Sequence, residues 1–213
     1  ITQQADCIFF PELSMTNYEP LLANALATTQ ENAMFDQFQN ISHQYDITVA
    51  LGMPTQSEAG VAISMLVFQP NNTRETYSKQ HLHPDEYPYF TSGDKQLIVN
   101  VRDKSIAPAI CFESLQTNHS KNAKNLGAQL YVACVAKPQQ ALDKAMTHYA
   151  ETAKNLSMPV LMCNSIGASD NFVSAGQSSA WTTQGILAGQ LEANKQGVLI
   201  FDTETEEVTS LVV

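Results

Sequence analysis

The chain has little positive charge and few charged residues of either sign. In its 213 residues, 11 lysines and arginines stand against 21 aspartates and glutamates, so the formal net charge is -10. This charge has the wrong sign for a partner with a phosphate backbone, which argues against nucleic acid. Hydrophobic residues make up 44% of the sequence, enough to build a packed core, which argues against intrinsic disorder.

Long apolar runs and signal-like segments are also missing from the sequence. No apolar stretch approaches the ~18 to 20 residues that a membrane span needs. The opening ITQQADCIFF has neither the basic segment nor the cleavage site of a secretory signal. We therefore predict a cytoplasmic protein without a membrane partner.

The cysteines show no pairing pattern. Cys7, Cys111, Cys134 and Cys163 are widely spaced and form no CxxC motif. In a chain large enough to fold without cross-links, this spacing predicts reduced thiols rather than a disulfide framework.

Neither a linker nor a repeat divides the sequence, so a single domain is predicted over residues 1–213. Short β-type runs are predicted at residues 5–10, 46–53, 61–68, 97–101, 106–110, 130–135, 158–163, 178–183, 198–201 and 208–213. Helical apolar spacings are predicted between them at 21–41, 115–126 and 138–156. Helices that need a sheet to cover, together with hairpins, predict an α/β domain with a mixed sheet.

Cys111 lies between a predicted strand and a predicted helix. At a helix N-terminus the backbone N–H groups and the helix dipole favour a thiolate. The N–H of Phe112 could also hold a developing oxyanion at this turn. From its position alone, a buried structural cysteine is an equally good interpretation.

Glu12 directly follows the apolar strand CIFF and Pro11. The carboxyl end of a buried strand is where α/β folds bind ligands, and partial burial there would raise a carboxyl pKa toward that of a general base. An acid that caps a helix in a strand-to-helix loop explains the position equally well.

Lys79 lies in TYSKQHLHPDEYPYF, a stretch dense in polar and aromatic residues beside prolines. Such a composition is typical of a loop that lines a site. His81, His83, Asp85 and Glu86 invite a metal interpretation, but their spacing fits no established ligand set, so we predict no metal. An ordinary packed or hydrogen-bonded side chain is the default interpretation of His81.

Three segments, taken together and in order, resemble the nitrilase or carbon-nitrogen hydrolase superfamily: IFFPELS around Glu12, YSKQHLHPDE around Lys79, and PAICFES around Cys111. Weaker agreement follows in GAQLYV, CNSIG and SAGQSS. The resemblance implies that Glu12, Lys79 and Cys111 form a Glu-Lys-Cys catalytic set. It also implies that Glu86 is the supporting glutamate.

The resemblance further implies a fold and an assembly. The fold is a four-layer α-β-β-α sandwich, and the assembly is a homo-oligomer, a dimer or higher. Members usually have a strand and a long helix before the FPE strand, whereas this sequence starts at that strand. We therefore expect either that residues are missing from the sequence or that the domain has lost this strand and helix.

The implied activity is hydrolysis of a small aliphatic amide or ω-amide through a thioester on Cys111, with no cofactor. Nitrile or N-carbamoyl hydrolysis by the same catalytic set is the alternative among enzymes, and a non-catalytic metabolite-binding protein is the alternative of another class. Substrate specificity is expected to come from loops around Tyr18, Tyr87, Glu113 and Asn164.

Overall fold

The computed structural model describes residues 3–212. It divides into two compact units, residues 1–97 and 98–213, which are described separately. Each unit contains strands and helices, and each has its own sheet. The mixed α/β class is therefore confirmed, while the assignment of residues 1–213 to a single domain stays a prediction.

The first unit is built on a four-stranded sheet in the order β1-β2-β3-β4. Its strands are β1 (Cys7–Phe9), β2 (Thr48–Ser57), β3 (Gly60–Phe68) and β4 (Glu75–Ser78). β1 pairs with β2 in parallel, and the other two pairings are antiparallel. The predicted hairpin between residues 61–68 and the strand before Lys79 is confirmed as β3 and β4.

Two short helical segments connect β1 to β2. The first is a 3-10 turn (Pro20–Leu22) continued by α1 (Ala23–Leu26), and the second is a 3-10 turn (Ala33–Phe35) continued by α2 (Asp36–Tyr45). A connection of this kind is what a parallel pair of strands requires, because a tight hairpin cannot reverse the chain twice.

The predicted helical stripe over residues 21–41 is largely wrong. Leu21 is 75% exposed and Leu22 is 52% exposed, whereas Phe35 is fully buried against β2 and β3. The helix stops after α1 and restarts at Asn32, whose side chain accepts a hydrogen bond from the Met34 N–H. A helix interrupted in this way cannot keep one face turned toward the sheet.

The second unit contains a six-stranded sheet in the order β12-β11-β8-β7-β6-β5. Its first four strands are β5 (Val99–Val101), β6 (Lys104–Ile110), β7 (Leu130–Val135) and β8 (Val160–Asn164). β6, β7 and β8 are parallel, and α3 (Thr117–Asn125) and α4 (Gln139–Leu156) connect them. The helix predicted after Pro138 is confirmed, and the one predicted at 115–126 is α3 preceded by a 3-10 turn.

The sequence patterns missed several short strands near the carboxyl end. β9 (Ile166–Ser169) and β10 (Phe172–Ala175) form a separate hairpin. β11 (Ser179–Trp181) and β12 (Leu187–Gln190) extend the six-stranded sheet, and β13 (Gly197–Phe201) pairs with β14 (Val208–Val212). The missed strands β9, β10 and β12 have four residues each, too few to show a clear period of two.

The core of the second unit is formed by α4 and the parallel strands. Leu142, Ala145, Tyr149 and Ala153 lie on one face of α4 and are fully buried together with Tyr131 of β7. This stripe is the one that the residue spacing predicts. Within the described part of the chain, no helix is both long and apolar enough to cross a membrane.

Candidate active site

Glu12 lies in a tight turn at the carboxyl end of β1 and is only 2% exposed. β2 approaches this turn closely at Gly52, where a Cβ atom would lie 2.3 Å from the Leu13 nitrogen. The Gly52 N–H donates to Ser14 Oγ at 3.0 Å, and the Gly52 carbonyl accepts from the Met15 N–H at 3.0 Å. The backbone of β2 therefore fixes the turn that carries Glu12.

Lys79 directly follows β4, and its side chain is fully buried. The Lys79 N–H donates to the Ile63 carbonyl at 2.8 Å, and the Lys79 carbonyl accepts from the Gly93 N–H at 2.8 Å. Gly93 has to be a glycine here, because a Cβ would lie 2.2 Å from the Ser78 carbonyl oxygen. The lysine backbone is thus held on both sides before its side chain enters the interior.

The Lys79 ammonium joins two buried carboxylates. Its Nζ lies 2.8 Å from Glu12 Oε1 and 2.7 Å from Glu86 Oε1. The other oxygen of Glu86 accepts from the His83 N–H at 2.7 Å, and the Tyr18 hydroxyl donates to Glu86 Oε1 at 3.2 Å. Lys79 and Glu86, which are close in the sequence, therefore share one hydrogen-bond network with the distant Glu12 inside the first unit.

Two of the residues expected to form a substrate pocket lie in this unit. Tyr18 is nearly buried and belongs to the carboxylate network, whereas Tyr87 is 64% exposed. Tyr87 lines a groove of about 360 Å³ together with residues that include Pro20, Leu21 and Phe90.

The histidines near Lys79 lie on the surface. His81 and His83 are exposed, and His83 Nδ1 contacts the Asp85 carboxylate. Among residues 3–212, no cluster of three or more His, Cys, Asp or Glu side chains has a geometry that could hold a metal ion.

Cys111 lies at the carboxyl end of β6 and opens a 3-10 turn (Cys111–Leu115). Its φ of 46° falls in the left-handed region, which is unusual for a residue other than glycine. Such backbone conformations cost roughly 1–3 kcal/mol and are concentrated at functional sites. The strand-to-helix turn predicted around the cysteine is confirmed, with the helix in 3-10 geometry at its start.

Glu113 points into the interior and stabilises the cysteine turn. It is fully buried, and its Oε1 accepts from the Ile110 N–H at 2.6 Å. Its Oε2 lies 3.8 Å from His119 Nε2, and His119 Nδ1 is 2.7 Å from the Tyr131 hydroxyl. Burial raises the Tyr131 pKa well above its usual value, and the Glu113 charge raises it further. Glu113 therefore holds the Ile110 N–H from the interior, and its expected place in a substrate pocket stays a prediction.

A second set of hydroxyl groups stabilises the same turn. The Ser114 hydroxyl donates to the Cys111 carbonyl at 2.6 Å. The Tyr149 hydroxyl lies 2.6 Å from Ser114 Oγ and donates to it, since the single Ser114 proton is already used. The sequence analysis gave neither residue a role at the site: Ser114 is the last residue of the segment PAICFES, and Tyr149 lies far along the chain on the apolar face of a predicted helix.

Asn164 and Lys137 meet at the same edge of this sheet. The Asn164 side chain accepts from the Lys137 N–H at 2.8 Å and donates to the carbonyls of Lys137 and Gly176 at 3.1 and 2.8 Å. Asn164, expected to line a pocket, therefore joins three backbone segments. Lys137 is only 6% exposed and was missed, although its place just after a buried parallel strand is a signal that could have found it.

Each unit thus gathers part of the predicted site. The first unit brings together Glu12, Lys79, Glu86 and Tyr18, while the second holds the Cys111 turn with Phe112 and Glu113. All four cysteines fall within the described residues, and none forms a disulfide. Burial raises the pKa of both Cys7 and Cys163 to about 12, which makes these two thiols poor nucleophiles.

The sequence model of the family described as carbon-nitrogen hydrolase matches residues 1–211. The chain belongs to this family. The enzyme class that the sequence resemblance implies is therefore confirmed at the level of the family.

Individual relatives agree with this assignment. A glutamine-dependent NAD(+) synthetase of Aquifex aeolicus is 26% identical, over 93% of this chain and 36% of that protein. The omega-amidase YafV of Yersinia enterocolitica is 27% identical, over 79% of this chain and 65% of that protein. The chain thus matches between about a third and two thirds of the length of these curated relatives.

A solved structure shows the fold. An amidase from Nesterenkonia sp. AN1, with acrylamide added at its active-site cysteine, superposes with a TM-score of 0.80. The match covers 100% of this chain and 80% of that one at 18% identity. The predicted α/β fold of carbon-nitrogen hydrolase type is confirmed.

Proposed function

We propose that this chain hydrolyses the C–N bond of a small aliphatic amide or ω-amide, with Cys111 as the nucleophile. The observation that carries the proposal is the buried Lys79 ammonium between Glu12 and Glu86. Three charges removed from water cost free energy, and such groups are concentrated at functional sites. A purely structural core has no need of them.

Each proposed role follows from the chemistry of its side chain. Glu12 accepts the thiol proton of Cys111, and the thiolate attacks the carbonyl carbon. The Lys79 ammonium and the Phe112 N–H hold the resulting oxyanion. Glu12 then protonates the departing ammonia or amine, which leaves a thioester on Cys111.

The second half of the reaction uses the same groups. Glu12 removes a proton from water, and the hydroxide attacks the thioester. The C–S bond then breaks to release the carboxylic acid, and Glu12 returns its proton to the Cys111 sulfur. Glu86 keeps the Lys79 ammonium charged and oriented through their 2.7 Å contact. The scheme balances without any cofactor.

The names of two relatives support an ω-amide as substrate. One relative is an omega-amidase, and the other is a synthetase that depends on glutamine. The glutamine side chain ends in a primary amide, so both names refer to the same functional group. The preference for ω-amides over other small amides is part of the proposal.

The deciding experiment is mass spectrometry of the intact protein incubated with a panel of amides, nitriles and N-carbamoyl compounds. We expect an acyl adduct on Cys111 with amides, and none in Cys111→Ala. Glu12→Gln and Lys79→Met should each lower turnover by about 10² to 10⁴. The proposal fails if these variants keep nearly full amidase activity or if only nitriles or carbamoyl compounds are consumed.

The same incubation tests the alternative of a binding protein, which predicts no adduct with any compound.

The predicted homo-oligomer can be tested by light scattering coupled to size-exclusion chromatography. The cytoplasmic location also stays a prediction.

A further inference from the structure

Lys137 lies at the same edge of the second unit's sheet as Cys111. β6 and β7 are parallel, and Ile110 at the end of β6 pairs with Cys134 of β7. Cys111 is the first residue after β6, and Lys137 is the second residue after Val135, the last residue of β7. Because both strands run in the same direction, both side chains belong to the carboxyl edge of the sheet, where α/β folds bind ligands.

The backbone of Lys137 is held on both sides. Its N–H donates to Asn164 Oδ1 at 2.8 Å, and its carbonyl accepts from Asn164 Nδ2 at 3.1 Å and from the Ala175 N–H at 3.0 Å. With 6% exposure, the residue is almost completely removed from water. Lysines are almost never buried to this extent unless a charge or a polar group compensates.

The charge of Lys137 affects the pKa values of two side chains on α4, Tyr149 and His148. Burial raises the Tyr149 pKa to about 12, while Lys137 opposes the rise and Cys111 adds to it. The Tyr149 hydroxyl is thus within electrostatic reach of both residues, and it is joined to the Cys111 carbonyl through Ser114. On α4, desolvation lowers the His148 pKa, and Lys137 lowers it further.

We propose that Lys137 is a positioning residue for the nucleophile, whose ammonium stabilises the thiolate of Cys111. The inference rests on the proposed function, since it takes Cys111 as the attacking group. No bond is made or broken at Lys137. Its charge favours loss of the Cys111 proton to a base. Glu113 is the buried acid of the same turn, and it accepts a hydrogen bond from the Ile110 N–H and lies beside His119.

The test is the pH dependence of Cys111 alkylation by iodoacetamide, followed by mass spectrometry of the digested protein. In Lys137→Met we expect the midpoint of the rate profile to rise by about one pH unit or more, as for loss of an opposite charge a few ångströms away. The rate at pH 7 should fall only about threefold, because the more basic thiolate is the better nucleophile. Lys137→Arg should keep the midpoint near that of the unchanged protein.

Lys144→Met is the matched control, since Lys144 is an exposed lysine on α4 of the same unit. Its midpoint should not move. A folded Lys137→Met with an unchanged midpoint overturns the proposal. The proposal is also overturned if the midpoint is unchanged and KM rises only for substrates that carry a carboxylate, because Lys137 would then bind substrate.

If Lys137→Met does not fold, the unchanged protein still provides a test of the proposal. Its Cys111 midpoint must lie clearly below the ordinary thiol pKa of about 8.5, and a midpoint at or above that value overturns the proposal. Alkylation does not require turnover. A protein without amidase activity but with a midpoint that depends on Lys137 would therefore refute the proposed function and leave this inference standing.

Discussion

The two units stabilise their candidate site residues by different physical means. In the first unit, Lys79 is bound by Glu12 and Glu86 through contacts of 2.8 and 2.7 Å between full charges. In the second, Cys111 lies on a backbone in the left-handed region, and the hydroxyls of Ser114 and Tyr149 stabilise its turn. One arrangement depends on charge, and the other on backbone conformation and neutral hydrogen bonds.

This difference predicts different responses to mutation. Removing one member of a buried charge network leaves another charge without compensation, which is expensive. Removing one hydroxyl from a neutral network costs the smaller free energy of a single hydrogen bond.

The largest effect on stability is expected for Lys79→Met. The variant leaves two buried carboxylates around an apolar side chain, so the free energy of unfolding should fall by about 3–5 kcal/mol. Urea denaturation followed by circular dichroism measures the change. Lys195→Met, which removes an exposed ion pair with Glu192, should leave the denaturation midpoint nearly unchanged. Similar midpoints for the two variants would contradict the proposed contrast.

Gly52→Ala tests whether backbone packing also matters in the first unit. The new Cβ would overlap the Leu13 nitrogen and the Pro11 carbonyl oxygen, so we expect a loss of about 1–3 kcal/mol in unfolding free energy. Because the turn that carries Glu12 has to move, amide turnover should fall as well. Gly127→Ala places an alanine at a positive φ, which Gly52→Ala does not, but its Cβ meets no atom within 4 Å. It should therefore reduce stability without lowering turnover.

Alkaline pH should destabilise both units through their buried thiols. Burial in the folded protein raises the pKa of Cys7 and of Cys163 to about 12, so above about pH 8.5 the unfolded chain loses these protons before the folded protein does. The free energy of unfolding should then fall with increasing pH, by about 1 kcal/mol per pH unit for each thiol.

Urea midpoints measured between pH 8 and pH 10.5 test this dependence. Cys163→Ala and Cys7→Ala should each make it less steep, because each removes one titrating group from the unfolded chain. If the dependence is equally steep in both variants, the thiols are not its cause.

The smallest effect is expected for Tyr149→Phe. It removes one buried hydrogen bond to Ser114, which keeps its own bond to the Cys111 carbonyl, so about 1 kcal/mol of unfolding free energy should be lost. Tyr45→Phe removes a hydroxyl from a side chain that is 43% exposed and should not change stability measurably. A loss for Tyr149→Phe as large as that for Lys79→Met would remove the distinction between the two units.

Part of this architecture was predictable from sequence because its signals are local. The apolar runs of β3, β6 and β7 and the spacing of α4 reproduce the observed elements closely. The prediction over residues 21–41 was largely wrong, because apolar spacing indicates which residues could share a helix face but not whether the helix is continuous. The short strands β9, β10 and β12 carry too little pattern for recognition.

In the candidate site too, local sequence signals predicted some features and only packing determined the others. Glu12, Lys79 and Cys111 were predicted as a catalytic set because each lies in a recognisable segment of sequence. The interior hydrogen bonds of Glu113 and Asn164 depend on which way each side chain turns, and that is decided by packing. Lys137 and Tyr149 belong to no motif, and only the alignment of parallel strands and the burial of α4 bring them near the cysteine turn.

The sequence alone identified the family, a candidate set of catalytic residues and the positions of most strands along the chain, because these follow from residue type and from local spacings. Only the tertiary structure decided that Lys79 is bound by two carboxylates, one of them 67 residues away along the chain. It also decided that Cys111 adopts a left-handed conformation. Such outcomes depend on which distant segments pack together, and packing is a property of the folded chain as a whole.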